Sequence, residues 1–160
     1  VETVRIIYVR DNQTLKTVFV DRDGTINRDC PYCHELDDLQ IYDDTVGILK
    51  HYQGKGYRII IVTNQSGIGR GYFSMEEFRR FNDGVVNRLL DLGVKVSATY
   101  FCPHRPDEGC SCRKPGIGLI NEALSDFRVD IGGSLVIGDR DDVDGQLARN
   151  LGLPFRIVSH

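Results

Sequence analysis

The sequence predicts an α/β fold, a mainly parallel sheet covered by helices on both faces in three layers. Short β-branched and aromatic runs alternate with helix-period segments along the 160-residue chain. The runs are apolar throughout, as strands buried on both faces must be. A composition of 41% hydrophobic and 27% charged residues fits one globular domain large enough to bury a core, with no repeat or linker to divide it. In such folds ligands bind beyond the carboxyl ends of the strands, so the residues following each strand are the ones to inspect.

Taken in order, Val4–Val9, Arg10-Asp-Asn-Gln13 and Leu15–Val20 read as a hairpin. Residues 1–16 should then add an antiparallel edge strand to a single 1–160 domain. The run Val18–Val20 stops abruptly at Asp21 and Asp23, and Gly24 lets the chain turn away. A helix is expected near Asp43–Gln53 and a strand over Arg58–Val62. Ser74 and Glu77 have capping-box spacing and open a helix that runs to about Leu92. Val96–Phe101 leads into a Cys-rich loop, followed by a helix from about Gly116 to Phe127. Ser134–Ile137, a helix near Gly145–Asn150 and the strand Phe155–Val158 complete the chain. The connection from Asp23 to Thr63 is too short for a large cap domain.

The net charge of −3 argues against general electrostatic attraction to nucleic acid or an anionic membrane. No apolar stretch approaches the ~20 residues of a membrane span. The start lacks a secretory pattern and an initiator Met, as a processed or excised piece would. A cytoplasmic monomer acting on a small molecule is expected, with no nucleic-acid partner.

The strand ends carry the chemistry. Asp21 and Asp23 end one strand, and Thr63 and Asn64 follow another, offering a hydroxyl and an amide to phosphoryl oxygens. The Cys-rich loop runs directly into Arg113 and Lys114. Gly138, Asp139 and Arg140 follow Ser134–Ile137, with Asp141, Asp142 and Asp144 beyond. Each alone is an ordinary turn or solvated face. Together they offer carboxylates for magnesium, a nucleophile, a hydroxyl donor and a fixed cation, the parts needed to hydrolyse a phosphate monoester.

Asp21-Arg-Asp-Gly-Thr25, Thr63, Lys114 and Gly138-Asp139 resemble, in order, the four motifs of the haloacid dehalogenase-like phosphatases. Asp21-Arg-Asp-Gly-Thr-Ile-Asn27, Tyr32-Cys-His-Glu35, Thr63-Asn-Gln-Ser-Gly-Ile-Gly-Arg-Gly71 and Cys112-Arg-Lys-Pro115 narrow the likeness. They are similar to the subfamily of D-glycero-D-manno-heptose 1,7-bisphosphate 7-phosphatases and histidinol-phosphate phosphatases. The resemblance covers about Val18 to Leu153 and implies a Rossmann-like sandwich. It also implies Asp21 as nucleophile and Asp23 as acid and base. Magnesium would lie on Asp21, Asp139 and the Asp23 carbonyl, with Thr63 and Lys114 on the phosphoryl group. Arg22, Asp29, Cys30, Pro31, Tyr32, Asn64, Gln65, Ser66, Arg113 and Arg140 fall where substrate is contacted. The substrate would be a sugar or amino-alcohol phosphate, with a 3′-phosphorylated nucleic-acid end or turnover-free sugar-phosphate binding as the alternatives.

Three departures from that pattern stand out. The family's second acid, four residues after the metal-binding aspartate, is replaced here by Val143, and Asp142 and Asp144 flank it. Lys114-Pro-Gly-Ile-Gly118 lacks the second proline expected of the heptose enzymes, and the chain ends without their further helix.

Cys102, His104, Cys110 and Cys112 put four soft or borderline ligands within eleven residues, a set suited to closed tetrahedral zinc. Free buried thiols explain the spacing equally well. The subfamily's zinc loop at this place implies the metal, inserted where it would order the approach to Arg113 and Lys114.

Cys30-Pro-Tyr-Cys33 matches a redox spacing without the helix that normally follows, so a chance pair on a substrate loop is expected. His34 could serve a second metal but lacks enough carboxylates. Gly67, Gly69 and Gly71 should form a tight loop, and His51 and His160 should be solvated.

Overall fold

The computed structural model describes residues 4–160, and Val1 to Thr3 of the expected N-terminal hairpin lie outside it. Its strands are β1 (Arg5–Ile7), β2 (Thr17–Val20), β3 (Arg58–Asn64), β4 (Ala98–Cys102), β5 (Leu135–Gly138) and β6 (Phe155–Ile157). The helices are α1 (Asp43–Gly54), α2 (Ser66–Gly69), α3 (Met75–Asp91), α4 (Gly118–Asp126) and α5 (Gln146–Leu151). The strands form one sheet in the order β1-β4-β3-β2-β5-β6, parallel except for β1.

Alternate residues of each central strand face opposite layers, as the two-residue period of a strand requires. Val18, Val20, Ile59, Ile61 and Ile137 pack with Leu49 of α1 and with Phe81, Val85 and Leu89 of α3. Phe19, Ile60, Val62 and Val136 pack with Leu119, Ile120 and Ala123 of α4 and with Leu147 and Ala148 of α5. The three layers predicted from uniformly apolar strands are therefore present. The Ser74 hydroxyl accepts from the Glu77 N–H at 3.0 Å and the Glu77 carboxylate accepts from the Ser74 N–H at 2.9 Å, closing the predicted capping box.

The expected hairpin does not form. β1 is the antiparallel edge strand, but its partner is β4, two strands away from β2. Both sides of β2 are taken by β3 and β5, so no ladder remains for a hairpin mate. The connection is tied down by buried Arg58. Its guanidinium donates to Asp11 at 2.7 Å, to the Gln13 carbonyl at 2.8 Å and to the Arg128 carbonyl at 3.0 Å.

Three local features differ from expectation and bear on the site. β3 continues through Thr63 and Asn64, so both lie in the strand rather than after it. Residues Ser66–Gly69 form the short helix α2 instead of a loop. A wide π-type turn over Asp141–Gly145 precedes α5. His160 is exposed as expected but is not without partners: its ring stacks on Tyr42 with centroids 3.5 Å apart and Nδ1 lies 2.8 Å from Asp44. His51 is exposed, as expected.

Candidate active site

The strand order places β3, β2 and β5 side by side, so Thr63, the Asp21–Thr25 turn and Asp139 share one rim. Asp21 is 9% exposed, and its N–H donates to the Ile137 carbonyl at 2.9 Å, which locks the first residue after β2 to β5. Its carboxylate receives Lys114 Nζ at 2.7 Å and the Thr25 hydroxyl at 3.0 Å. Thr25 is also 3.1 Å from Asp139, and its own carbonyl accepts from Thr45 Oγ1 of α1 at 2.6 Å. Gly24 is required here for two reasons. Its φ of +89° suits only glycine, and a Cβ would collide with the Asp139 carboxylate.

Lys114 is buried and also donates to Asp144 at 2.8 Å. Burial alone would lower its pKa, but Asp21 and Asp144 outweigh that and hold the ammonium above its ordinary range. The Asn64 side chain fixes the lysine's main chain, donating to its carbonyl at 3.1 Å and accepting its N–H at 2.9 Å. Those two bonds tie that amide to Lys114 and leave one Nδ2 hydrogen facing the cleft that Asn64 lines.

The carboxylates of Asp21, Asp139 and Asp144 lie within 4.8 Å of one another. Burial, then the hydrogen bond and negative charge of Asp21, push Asp139 up to about 7. Burial also raises Asp144. Of Asp142 and Asp144, the π-type turn brings only the second to the cluster. It absorbs the extra residue, turning Asp144 inward at 2% exposure and leaving Asp142 outside, paired with Arg140 at 2.7 Å.

Asp23 is held differently. Arg22 donates to both of its oxygens, at 3.0 and 3.1 Å, Asn27 donates at 3.0 Å and Gln65 at 2.9 Å. Burial alone would raise its pKa, but the Arg22 charge and these donors hold it below the ordinary carboxylate range. Its carboxylate is not part of the three-acid cluster, which leaves its carbonyl for any contact with a cation.

Asp21, Asp23, Asp29, Pro31, Tyr32, Thr63, Asn64, Gln65, Ser66, Arg113, Lys114, Asp139 and Arg140 all line one cleft of about 440 Å³. Burial and the neighbouring charges of Asp23 and Asp21 raise the pKa of Asp29. Two residues expected to touch substrate are not among those lining this cleft. Arg22 is 0% exposed, with its guanidinium 5.4 Å from the Phe78 ring and 5.0 Å from the Phe81 ring of α3, and it donates to Asn82 at 3.2 Å. Cys30 is bonded to Cys33 as a disulfide and packs on the core. Thr25 was missed as a site residue, and Asp144 was left undecided against Asp142. The threonine of Asp-x-Asp-Gly-Thr was a usable signal for the first, whereas the second depends on turn geometry.

At the edge of the cleft, Cys102 Sγ is 3.4 Å from His104 Nδ1 and 3.5 Å from Cys110 Sγ, and His104 Nδ1 is 3.2 Å from Cys112 Sγ. The four ligand atoms lie within 4.8 Å, spacings that match the edges of a tetrahedron around zinc.

This sheet with its acid-lined rim defines a phosphatase of the haloacid dehalogenase-like class. The family model described as "Polynucleotide kinase 3 phosphatase" matches residues 16–158. A Thermoplasma volcanium protein named "Probable D-glycero-D-manno-heptose-1,7-bisphosphate 7-phosphatase" is 56% identical over 91% of this chain and 100% of its own length. The D-glycero-beta-D-manno-heptose-1,7-bisphosphate 7-phosphatase of Yersinia pestis is 38% identical over 88% of this chain and 79% of its own. The crystal structure of D,D-heptose 1,7-bisphosphate phosphatase from B. bronchiseptica, complexed with magnesium and phosphate, superimposes with a TM-score of 0.80. That protein is 29% identical, over 89% of this chain and 80% of its own. The chain belongs to the heptose-1,7-bisphosphate 7-phosphatase family, within the group described by the polynucleotide kinase 3 phosphatase model.

Proposed function

We propose that the protein hydrolyses the 7-phosphate of D-glycero-D-manno-heptose 1,7-bisphosphate through an aspartyl-phosphate on Asp21. The observation that carries this is the setting of the Asp21 carboxylate. Lys114 and Thr25 hold it at the floor of a cleft, with Thr63 on the same wall. One Asp21 oxygen attacks phosphorus, and the sugar oxygen leaves with a proton from Asp23. Water, giving its proton to Asp23, then attacks the acyl phosphate, releasing inorganic phosphate and free Asp21.

The resting network suits Asp23 to the base role. For the acid role it must first gain a proton, and a phosphate dianion arriving beside it raises its proton affinity. Lys114 and Thr63 orient the phosphoryl oxygens. Arg113 offers a buried Nη1 without a partner at the cleft wall, a donor for a substrate oxygen. Arg140, Asp29, Pro31 and Ser66 complete the sugar end.

The three-acid cluster fits magnesium by charge. Three carboxylates with one ammonium leave two negative charges in a mostly buried site, a balance a divalent oxygen-seeking ion restores. Asp21, Asp139 and the Asp23 carbonyl would hold it, supported by Asp144. When bound it offsets charge on the phosphoryl oxygens. Cys102, His104, Cys110 and Cys112 would hold a structural zinc. Among the described residues no helix is long and apolar enough to cross a membrane.

The description of the matching family model favours one second reading, a phosphatase of 3′-phosphorylated nucleic-acid ends. Phosphate release with magnesium from the heptose bisphosphate and from a 3′-phosphorylated oligonucleotide separates the two. Preference for the sugar is expected, and preference for the oligonucleotide overturns that choice. Asp21→Asn should fold yet lose on the order of 10⁴ in turnover. Full activity in that variant would refute the aspartyl-phosphate route.

A further inference from the structure

Residues 30–33 form a turn closed by the Cys33 N–H to the Cys30 carbonyl at 3.1 Å, with Pro31 and Tyr32 at its corners. Proline suits the first corner, while the second demands a positive φ that glycine or asparagine usually supplies. Here the second corner is Tyr32, at φ +56°, the one non-glycine residue with positive φ among those described. A bulky side chain disfavours that conformation, so something outside the residue must hold it. Three devices do. Cys30 and Cys33 are cross-linked with their Cα atoms 5.3 Å apart, and Cys33 is anchored in the core at 4% exposure. His34 Nδ1 donates to the Tyr32 carbonyl at 2.8 Å, with its ring stacked on Phe73 at 5.2 Å. The Tyr32 ring meets Tyr72 edge-on at 4.6 Å.

The outcome of this strain is a placed aromatic. Tyr32 stands in the cleft wall next to Asp29 and Pro31, yet remains 42% exposed, so it serves no core. An amphipathic ring at the mouth of a cleft is suited to the face of a sugar.

We propose that the Cys30–Cys33 disulfide is a removable clamp that sets Tyr32 as a substrate-positioning residue. This rests on the sugar-phosphate reading above. Opening the clamp needs two electrons and two protons, which a dithiol reductant supplies. Its first thiolate attacks one sulfur to form a mixed disulfide. Its second thiol then displaces the remaining protein thiol, leaving two protein thiols and the cyclic reagent disulfide. The freed turn relaxes toward conformations in which Tyr32 no longer lines the cleft. Substrate affinity falls in proportion to the fraction of chains still competent to bind. Asp21, Lys114 and Asp139 are untouched, and so is the chemical step.

The test compares fully oxidised and dithiol-reduced protein, with thiol titration to confirm opening, in steady-state assays on the heptose bisphosphate. Amide hydrogen exchange over residues 28–35 is measured in parallel. Reduction is expected to raise KM about fivefold, if about one chain in five stays competent, with kcat within about twofold. Exchange over 28–35 should accelerate. The Cys30→Ser/Cys33→Ser variant should show the reduced protein's KM and ignore the reductant, which separates this loop from the thiols at 102–112. Tyr32→Ala should raise KM in both redox states. Unchanged KM and exchange after confirmed opening would overturn the clamp, as would a reductant response that persists in the double variant. Faster exchange with no hydrolysis of the heptose bisphosphate in either state would leave the clamp standing and refute the substrate.

Discussion

At the residue scale the site works by fixing the charge state of each acid through a neighbour. Asp23 depends on Arg22, a guanidinium without solvent contact set among Phe78, Phe81 and Asn82. Replacing it by Met removes the cation and two donors, so the Asp23 pKa should rise. The acid-side limb of the kcat/KM profile then moves to higher pH, and kcat falls by about 10². Stability should drop by about 3 kcal/mol, the lower end for breaking a buried pair, because Asp23 stays 23% exposed at its side chain. A pH profile that does not move would sever Arg22 from Asp23's protonation. The acids themselves were legible from sequence, since an apolar run that ends in two carboxylates has few explanations. The destination of Arg22 was not, because it depends on α3, sixty positions along the chain in the case of Asn82. The pairing of Cys30 with Cys33 was signalled by their spacing but set aside because no helix follows the pair, and the structure bonds them.

At the scale of elements, loops after strands convert backbone geometry into chemistry. The π-type turn at 141–145 inserts one residue without moving Asp144 out of the site. Asp144→Asn should therefore cost roughly 10²–10³ in kcat by weakening the Lys114 anchor and the cation site. Asp142→Ala, on the exposed side, should keep wild-type turnover and stay within about 0.5 kcal/mol in stability. Equal losses in the two variants would contradict the inward placement of Asp144. The Cys102–Cys112 loop does the same work for the phosphate-binding cation, because Arg113 and Lys114 follow its last ligand directly. Cys110→Ser should lose bound zinc by elemental analysis, with kcat reduced about 10–100-fold. Full zinc loss at unchanged kcat would make the metal irrelevant to catalysis. Element positions were readable to within a few residues, because hydrophobic period and the Ser74/Glu77 box are local signals. The hairpin failed because strand pairing is not local: β1 has the composition of an edge strand, but only the full sheet order names β4 as its partner. The turn at 141–145 defeated a fixed four-residue spacing for the same reason, since its width is settled by packing against β5 and β6 rather than by its own residues.

At the scale of the molecule, folding and metal binding are coupled through the cost of gathering carboxylates. Asp139, pushed up to about 7 by burial and by Asp21, starts in the unfolded chain near the ordinary value of about 3.9. Between these two values the folded state binds more protons than the unfolded one. The contribution of this group to metal-free stability therefore falls as pH rises from about 4 to about 7. Magnesium reverses that balance, because it requires the deprotonated carboxylate. Above about pH 7 the ion enters a site already ionised, whereas below it the ion must displace a proton and loses about tenfold in affinity per pH unit. At a fixed magnesium concentration the rise in Tm should be larger at about pH 8 than at about pH 6, following RT ln(1 + [Mg]/Kd) with the Kd of each pH. Asp139→Asn supplies the control, since it removes the group pushed up to about 7 and should leave a smaller shift with a weaker pH dependence, the remainder coming from Asp144. A magnesium shift larger at the lower pH, or a pH dependence undiminished in Asp139→Asn, would place the cation away from this cluster.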